Sequence, residues 1–230
     1  MSVAIITGGS RGLGLALARE LTDSGWDVIV DARDGDTLRA AVDGRAIRVL
    51  PGDVSDPVHR AELVAAAGDL GRLDLLVNNA SVLGPSPLPR LRDLDVGELE
   101  AIHRVNVAAP LGLIQDALPL LQASDGAVVN VTSDAAVEPY EGWGGYGSSK
   151  AALEQLSHIL AAEEPDVRVW WFDPGDMRTQ MHQDAFPGED ISDRPEPETV
   201  VPALRRLLAE RPPSGRIRAA DLLAEATVGP

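Results

Sequence analysis

The sequence contains no cysteine, a single lysine among its 20 basic residues, and only 3% aromatic residues. Without cysteine there is no disulfide, no thiol nucleophile and no thiolate metal site. The four histidines are scattered without ligand spacing, so we expect no metal site. No apolar run approaches the roughly 20 residues that span a bilayer, and no secretory leader precedes the first apolar segment. We therefore predict a cytoplasmic protein that does not insert into a membrane.

Acidic residues outnumber basic ones by 36 to 20, which gives a formal net charge of −16. Such a surface repels the phosphate backbone, so nucleic acid is not an expected partner. An anionic cofactor would have to bind against this field, through individual arginines and backbone N–H groups. The basic residues near a phosphate site should therefore be identifiable one by one.

Apolar segments rich in valine and isoleucine alternate with amphipathic, helix-length segments along the whole chain. The predicted strands are residues 3 to 7, 27 to 32, 46 to 50, 73 to 80, 126 to 132 and 167 to 172. The predicted helices are residues 14 to 21, 58 to 67, 99 to 121, 150 to 163 and 198 to 208. This alternation indicates an α/β protein with a doubly wound parallel sheet of about seven strands and helices on both faces. We predict one domain, residues 1 to 230, with a substrate loop at about 180 to 197.

The first predicted strand ends in Thr7, and glycines follow at positions 8, 12 and 14, immediately before an apolar helix. Glycines at such a place allow a tight turn and a close backbone approach. A pyrophosphate can then bind to the N–H groups and the positive dipole end of the helix. The alternative is a turn that only packs the helix against the strand. The position between strand and helix favours a dinucleotide site.

The spacing Thr-Gly-x-x-x-Gly-x-Gly resembles that of the short-chain dehydrogenase/reductase family, and the resemblance extends along nearly the whole chain. Asp53 and Val54 look like the family's adenine-contacting pair, and Asn79 and Ala80 lie in its Asn-Asn-Ala-Gly motif, although Ser81 replaces the glycine. The resemblance implies a Rossmann-type NAD(P)-binding fold. The cofactor-binding residues it implies are Gly8, Ser10, Arg11, Gly12, Leu13, Gly14, Arg33, Asp53, Val54, Asn79, Ala80, Tyr146, Lys150, Pro174, Gly175, Met177 and Thr179.

Charge at the end of the second strand predicts which dinucleotide binds. A carboxylate would bond the ribose 2′-hydroxyl of NAD, whereas a guanidinium would pair with the 2′-phosphate of NADP. In the family resemblance the NAD-type acid falls at Ala32 and the NADP-type arginine at Arg33, and Arg11 is a second basic position. We therefore predict NADP(H). Asp31 and Asp34 leave an alternative open, because a shift of one residue would bring a carboxylate to the ribose.

The lone lysine, Lys150, lies four residues after Tyr146, so both side chains share one face of a predicted helix. A tyrosine hydroxyl titrates near pH ~10 and needs a nearby positive charge to relay protons at neutral pH. An adjacent ammonium lowers such a pKa by about one to three units. Lysine suits this task better than arginine because its charge is compact and its three donors rotate. The alternative is an incidental helix pair.

Residues in other segments favour a catalytic role for Tyr146 and Lys150. Ser133 follows the fifth strand, where the family has the serine that holds the substrate oxygen, and Asn106 stands where the family has a residue that binds a water linking the lysine to solvent. Pro174 to Thr179 resembles the motif that holds the nicotinamide carboxamide. The resemblance thus implies a catalytic set of Asn106, Ser133, Tyr146 and Lys150.

These residues predict an NADPH-dependent oxidoreductase that transfers a hydride between nicotinamide and a carbonyl or alcohol substrate, in the direction of ketone or aldehyde reduction. Two alternatives are a regulator that senses NADP without turnover and an epimerase that regenerates its nicotinamide in each cycle. The family usually forms homodimers or homotetramers, and the apolar positions of the long helices permit this.

Overall fold

The computed structural model describes residues 1 to 226. Its strands form one parallel sheet in the order β3-β2-β1-β4-β5-β6-β7. The strands are β1 (Val3–Ile6), β2 (Asp27–Ala32), β3 (Ile47–Pro51), β4 (Leu75–Asn78), β5 (Ala127–Val131), β6 (Arg168–Asp173) and β7 (Gly215–Arg218). The predicted α/β fold class, a Rossmann-type doubly wound parallel sheet, is confirmed.

Helices pack against both faces of the sheet. They are α1 (Gly12–Asp23), α2 (Gly35–Ala41), α3 (Pro57–Gly68), α4 (Val96–His103), α5 (Ala109–Ala123), α6 (Gly144–Glu163), α7 (Gln180–Ala185), α8 (Val201–Glu210) and α9 (Ala219–Ala226). A π-helical turn, Arg104–Ala108, joins α4 to α5. The single helix predicted over residues 99 to 121 is therefore three consecutive helical segments, of which the first begins three residues earlier.

The strands in the middle of the sheet are buried on both sides, as their continuous hydrophobicity predicts. Along β1, Ala4 and Ile6 pack into an apolar cluster with α1 and α8, whereas Val3 and Ile5 pack into a second cluster with α3 and α5. Alternate side chains of a strand point to opposite faces, so one strand contributes to both clusters. The two clusters fix the helices above and below the sheet.

Four elements were not identified from the sequence: β7, α2, α7 and α9. β7 has one apolar residue, Ile217, and forms by backbone pairing with β6 at the sheet edge. The helices have only six to eight residues, too few for a clear apolar period. α7 begins the segment predicted as a substrate loop, and Thr179 caps it by accepting a hydrogen bond from the His182 N–H.

Parallel strands bring all their carboxyl ends to one edge of the sheet. From β1 the chain winds outward through β2 to β3, and β4 then returns to pair with β1 on its other side. The strand order reverses at this β1–β4 boundary, and in such sheets ligands bind in the crevice at the carboxyl ends there.

Candidate active site

A cleft of about 1580 Å³ opens along the carboxyl ends of the strands. Its walls contain every site residue predicted from the sequence except Gly14 and Asn106. The glycine loop after β1 lies at one part of the cleft, and Ser133, Tyr146 and Lys150 line another part. The fold therefore brings residues that are up to 171 positions apart, from Gly8 to Thr179, to one cavity.

The glycine loop adopts backbone conformations that side chains resist. Gly8 and Gly12 have φ of 70° and 58°, in the left-handed region that glycine enters most readily. A Cβ on Gly8 would also lie 3.0 Å from the Ala80 Cα. No side chain caps the start of α1 at Arg11, so its first N–H groups are left for another acceptor. This end of α1 fits an anionic group.

Gly14 lies behind the cleft wall. A Cβ there would come within 2.5 Å of both the Gly8 carbonyl oxygen and the Asn79 side-chain nitrogen. Asn79 donates from that nitrogen to the carbonyl oxygens of Thr7 and Gly8, at 2.9 and 3.2 Å. Gly14 and the Asn79 amide therefore hold the glycine loop from behind, while other parts of Asn79 line the cleft.

Neither carboxylate that left the choice of dinucleotide open is free at the end of β2. Asp31 is 1% exposed, and its Oδ1 accepts a hydrogen bond from the Gly8 N–H at 2.8 Å. Asp34 caps α2 and accepts from the N–H groups of Asp36 and Thr37. Arg33 is exposed and lines the cleft, as does Asp34. The carboxylates at this place thus have structural partners already.

Asp53 lies beside Arg33 at the same end of the cleft. Its partial burial works to raise the pKa of the carboxyl, but hydrogen bonds from Ser55 and the charge of Arg33 outweigh it and hold the pKa below its usual value. The Ser55 N–H donates to Asp53 Oδ1 at 2.8 Å. Asp53 is therefore ionised at neutral pH, with its loop fixed by this turn.

A buried pair, Asp31 and His59, was missed from the sequence. The His59 Nε2 lies 3.1 Å from Asp31 Oδ2, and both side chains are at least 95% buried. Burial raises the pKa of Asp31, and the hydrogen bond with Asp31 raises the pKa of His59. A Cβ on Gly52 would collide with the His59 ring at 2.2 Å. The pair therefore joins β2 to α3, and Asp31 also bonds the glycine loop through the Gly8 N–H.

Tyr146 and Lys150 lie in α6, both almost wholly buried. The Lys150 Nζ is 5.4 Å from the centroid of the tyrosine ring and donates a hydrogen bond to the Val131 carbonyl oxygen at 2.8 Å. Ser133 follows the end of β5, where its hydroxyl accepts from the Ala135 N–H and donates to Asp134. α6 and the end of β5 thus place the three predicted catalytic side chains around one part of the cleft.

Burial acts on both titratable groups of this set. It raises the pKa of the Tyr146 phenol, which a hydrogen bond with Ser81 lowers in part and the charges of Asp134 and Asp173 raise further. Burial also lowers the pKa of Lys150 to about 8. The expected lowering of the phenol pKa is therefore not achieved by the protein groups alone. Both shifts favour the neutral form, because the low dielectric penalises charge.

Asn106 lies in the π-helical turn, away from the cleft surface. Its Nδ2 donates to the Val82 carbonyl and the Ser149 hydroxyl, both at 2.9 Å, and its Oδ1 accepts from the Val82 N–H and the Ser81 hydroxyl. These bonds tie the loop after β4 to α6. Ser81, at the position where the family has glycine, thus has a partner of its own.

The segment after β6 closes the cleft beside the glycine loop. Gly175 has φ of 73°, and its N–H donates to Asp173 Oδ1 at 3.0 Å. The Thr179 methyl lies 3.5 Å from the position of a Cβ on Gly12. Pro174, Gly175, Met177 and Thr179 all line the cleft, as the sequence predicts.

Arg216 of β7 forms a second feature that sequence reasoning missed. Its guanidinium pairs with Glu154 at 3.0 Å and Asp173 at 2.9 Å, and it donates to the Ser133 carbonyl oxygen at 3.3 Å. Thr132 donates to the same Glu154 carboxylate at 2.7 Å. One side chain therefore joins the ends of β5 and β6 to α6. This cluster was not predicted because no pattern in the sequence indicates β7.

Arg216→Met is expected to lower the free energy of unfolding by about 1–3 kcal/mol, because it leaves two largely buried carboxylates without their cation. The measurement is urea unfolding of the purified protein. Arg218→Met is the matched control, since among residues 1 to 226 the salt-bridge partner of Arg218 is the exposed Asp221 at 3.8 Å, and the substitution should change stability by less than about 0.5 kcal/mol. Equal effects of the two substitutions would contradict the assignment.

In residues 1 to 226 no group of three or more histidine, aspartate or glutamate side chains could hold a metal ion. Over the same residues, none of the helices combines the length and the apolar character that crossing a membrane requires.

The comparison with protein families gives a match to the short chain dehydrogenase model over residues 2–190. The chain belongs to the short-chain dehydrogenase family. Among its relatives, sepiapterin reductase of Mus musculus is 34% identical over 200 residues, which cover 79% of this chain and 77% of the relative. A benzil reductase ((S)-benzoin forming) of Saccharomyces cerevisiae is 36% identical over 196 residues, covering 79% and 74%.

Solved structures agree with this membership. A short chain dehydrogenase from Escherichia coli CFT073, complexed with NADPH, matches with a TM-score of 0.88 and 30% identity, covering 95% of this chain and 96% of the other. This short-chain dehydrogenase is therefore an oxidoreductase of a family that uses a nicotinamide dinucleotide.

Proposed function

We propose that the protein is an NADPH-dependent reductase of ketones or aldehydes. The observation that carries the proposal is the convergence of Ser133, Tyr146 and Lys150 on a cleft that also contains the uncapped start of α1. A sensor of NADP would need the helix end but no buried tyrosine and lysine pair. Relatives named as reductases and a neighbour that binds NADPH support the same proposal.

The residues of the cleft fit a dinucleotide. The N–H groups at the start of α1 would hold its pyrophosphate, Asp53 and Val54 its adenine, and the segment from Pro174 to Thr179 its nicotinamide end. Arg11 and Arg33 supply positive charge at an otherwise acidic surface. When bound, the reduced nicotinamide supplies the hydride for the carbonyl carbon.

The chain's own residues position the carbonyl and move the proton. The Ser133 hydroxyl, which donates to Asp134 in this structure, would turn to donate its hydrogen bond to the carbonyl oxygen, and the Tyr146 hydroxyl would give that oxygen its proton as negative charge develops on it. The Lys150 ammonium would stabilise the phenolate that remains. Burial excludes water from the phenol and strengthens each of these interactions.

The dinucleotide preference follows from the end of β2. The guanidinium of Arg33 is exposed and lines the cleft beside Asp53, where it can pair with a 2′-phosphate, whereas Asp31 and Asp34 accept hydrogen bonds from backbone N–H groups. We expect kcat/KM to be at least about tenfold higher with NADPH than with NADH, which corresponds to about 1.4 kcal/mol.

Arg33→Ser is expected to remove most of that preference, chiefly by raising the KM for NADPH, and steady-state kinetics with both cofactors measures it. Arg39→Ser is the control, because Arg39 pairs with Asp36 on the exposed side of α2 and is not among the residues that line the cleft. Equal efficiency of the wild-type enzyme with NADPH and NADH would rule out the NADP assignment.

The test of activity is the loss of NADPH absorbance across a panel of ketones, aldehydes and quinones. Turnover of at least one class supports the proposal. Tight NADPH binding without oxidation by any carbonyl compound would favour the NADP-sensing alternative. The single-domain organisation, the cytoplasmic location and the homodimeric or homotetrameric assembly stay predictions from the sequence.

A further inference from the structure

Aromatic side chains form one wall of the cleft beside Tyr146. The Trp143 ring lies 5.7 Å from the Tyr146 ring and 6.0 Å from the Phe186 ring, centroid to centroid. Phe186 in turn lies 4.9 Å from the His182 ring. These residues line the cavity. In a chain with only 3% aromatic residues, this is a marked concentration at one place.

The aromatic wall, defined as Trp143, Phe186 and His182, rests on an apolar base. Leu83 and Ala135 are buried beneath it, together with Ala185 of α7, and the side chains of Trp143 and Phe186 pack onto this base. Trp143 immediately precedes α6, so its ring is fixed three residues from the predicted proton donor. The base is formed by segments after β4, β5 and β6, and the wall is therefore part of the folded cleft.

The rings of the wall do not stack on one another. The planes of Trp143 and Phe186 are inclined by 50° and those of His182 and Phe186 by 41°, and the neighbouring Tyr146 ring is inclined by 72° to Trp143. An edge-to-face or tilted contact covers at most one face of one ring in each pair, and an uncovered aromatic face favours a second flat ring in offset or edge-to-face contact. The wall should therefore contact a flat aromatic ligand better than a bulky aliphatic one.

Two carboxylates, Asp134 and Asp176, lie at this end of the cleft. Asp134 follows Ser133 directly and accepts hydrogen bonds from the hydroxyls of Ser133 and Tyr140. Asp176 also lines the cleft, with His182 at 3.8 Å and Arg194 at 3.5 Å. Arg178 also lines the cleft, but its guanidinium already forms a salt bridge with Glu196. A carboxylate next to the reacting carbonyl would therefore meet a like charge.

Building on the proposed reductase function, we propose that the substrate is a ketone carried directly on a flat aromatic ring, without negative charge near the carbonyl. Trp143 and Phe186 select the ring by contact, and Asp134 disfavours a neighbouring carboxylate. The wall thus makes Trp143 a specificity-determining residue of this enzyme.

The test compares two diketones of nearly equal size, 1-phenylpropane-1,2-dione and 1-cyclohexylpropane-1,2-dione, which differ in the flatness of one ring. We expect kcat/KM of the wild-type enzyme to favour the phenyl compound by about tenfold or more. Trp143→Leu should reduce this ratio to below about threefold, and Trp143→Phe should retain most of it because a ring is kept.

Trp171→Leu is the matched control. Trp171 packs against His158 at 5.8 Å and is not among the residues that line the cleft, so its loss should leave the ratio of the two diketones unchanged. A ratio near one in the wild-type enzyme, or one that Trp143→Leu and Trp171→Leu change equally, would overturn the assignment. Because a ratio is measured, partial unfolding of a variant lowers both rates and does not imitate the expected result.

Charge is tested with benzoylformate, in which a carboxylate replaces the acetyl group of the phenyl diketone. We expect its kcat/KM to be at least about tenfold lower than that of the diketone, and Asp134→Asn to recover part of the difference. Benzoylformate reduced as fast as the diketone would contradict the role of Asp134. Failure of the proposed function is distinguishable, because the enzyme would then oxidise no NADPH with either diketone, whereas failure of this inference alone leaves turnover without ring selectivity.

Discussion

Tyr146→Phe is expected to lower kcat for carbonyl reduction by about 10²–10⁴-fold, the contribution that a positioned proton donor makes. The substitution removes one hydroxyl and keeps the ring, so the contact with Trp143 at 5.7 Å persists and NADPH binding should change little. Stopped-flow or steady-state kinetics measures the first quantity, and fluorescence titration with NADPH measures the second. A lower kcat with unchanged NADPH affinity would show that the substitution removes the proton donor and leaves the cofactor site intact.

Tyr140→Phe is the control for this substitution. Tyr140 is exposed, and its hydroxyl donates to Asp134 at 2.9 Å. Loss of this hydroxyl should therefore reduce kcat far less than loss of the Tyr146 hydroxyl. A Tyr146→Phe enzyme that retains substantial reductase activity would disprove the assignment of the proton donor.

The same phenol should produce a pH dependence. Burial, followed by the charges of Asp134 and Asp173, raises its pKa, so the protonated donor is present throughout neutral pH. Reduction needs that proton, so titration of the phenol should not by itself lower the rate until the pH passes above the ordinary range for tyrosine, and a fall that begins near pH 8 would instead report deprotonation of Lys150. The reverse reaction needs the phenolate, for which the Lys150 ammonium and the positive charge of the oxidised nicotinamide would be the stabilising groups.

Lys150→Met is expected to lower kcat by on the order of 10²-fold, because the phenolate loses its nearby ammonium. The same substitution should not destabilise the protein at pH 7 in the way that removal of a paired residue does. Lys150 is 2% exposed and pairs with no carboxylate among the described residues, its Nζ bonding only the Val131 carbonyl. This variant should therefore lose activity without a matching loss of stability at pH 7.

The pH dependence of the free energy of unfolding tests whether burial lowers the pKa of Lys150. Burial lowers the pKa of Lys150 from 10.5 to about 8, so below pH 8 both native and unfolded chains carry the proton and the cost of burying the charge is fully present. Between about 8 and 10.5 the unfolded chain still holds a proton that the native chain has lost, and native stability therefore rises with pH.

Wild type should accordingly gain about 1.4 kcal/mol per pH unit relative to Lys150→Met across this window. Urea unfolding of both proteins at several pH values between 7.5 and 9.5 measures the difference. Other titrating groups cancel in the comparison, since both chains share them. Parallel stability curves for the two proteins would show that burial does not lower the pKa of Lys150.

The fold class could be predicted from the sequence because the central strands are unusually apolar. β1, β4 and β5 are buried on both faces, and a strand in that environment has no reason to alternate with polar residues. β7 escaped notice because an edge strand needs only the backbone of β6 to form, and its sequence Gly-Arg-Ile-Arg contains a single apolar side chain. α7, six residues long and capped by Thr179, was placed in a loop for a similar reason.

The sequence predicted the motif residues that line the cleft. It did not predict the contacts that side chains near the site make with one another. Spacing predicted Tyr146 and Lys150 on one helical face, and both line the same cavity. Spacing could not show that Asp31 is closed off by Gly8 and His59. This contact joins residues 23 and 28 positions apart in sequence, and it is made only when β1, β2 and α3 have packed together.

What the sequence determined by itself is the α/β class, the order of the motifs and the chemical types available, because apolar period and glycine spacing are local properties of a chain. The tertiary structure decided which charges remain available. It gives Asp31 and Asp34 structural partners while Arg33 stays exposed, it buries Lys150 deeply enough to lower its pKa to about 8, and it sets Arg216 between Glu154 and Asp173. Burial and charge pairing depend on groups far apart in the chain, and only folding brings them within a few ångströms.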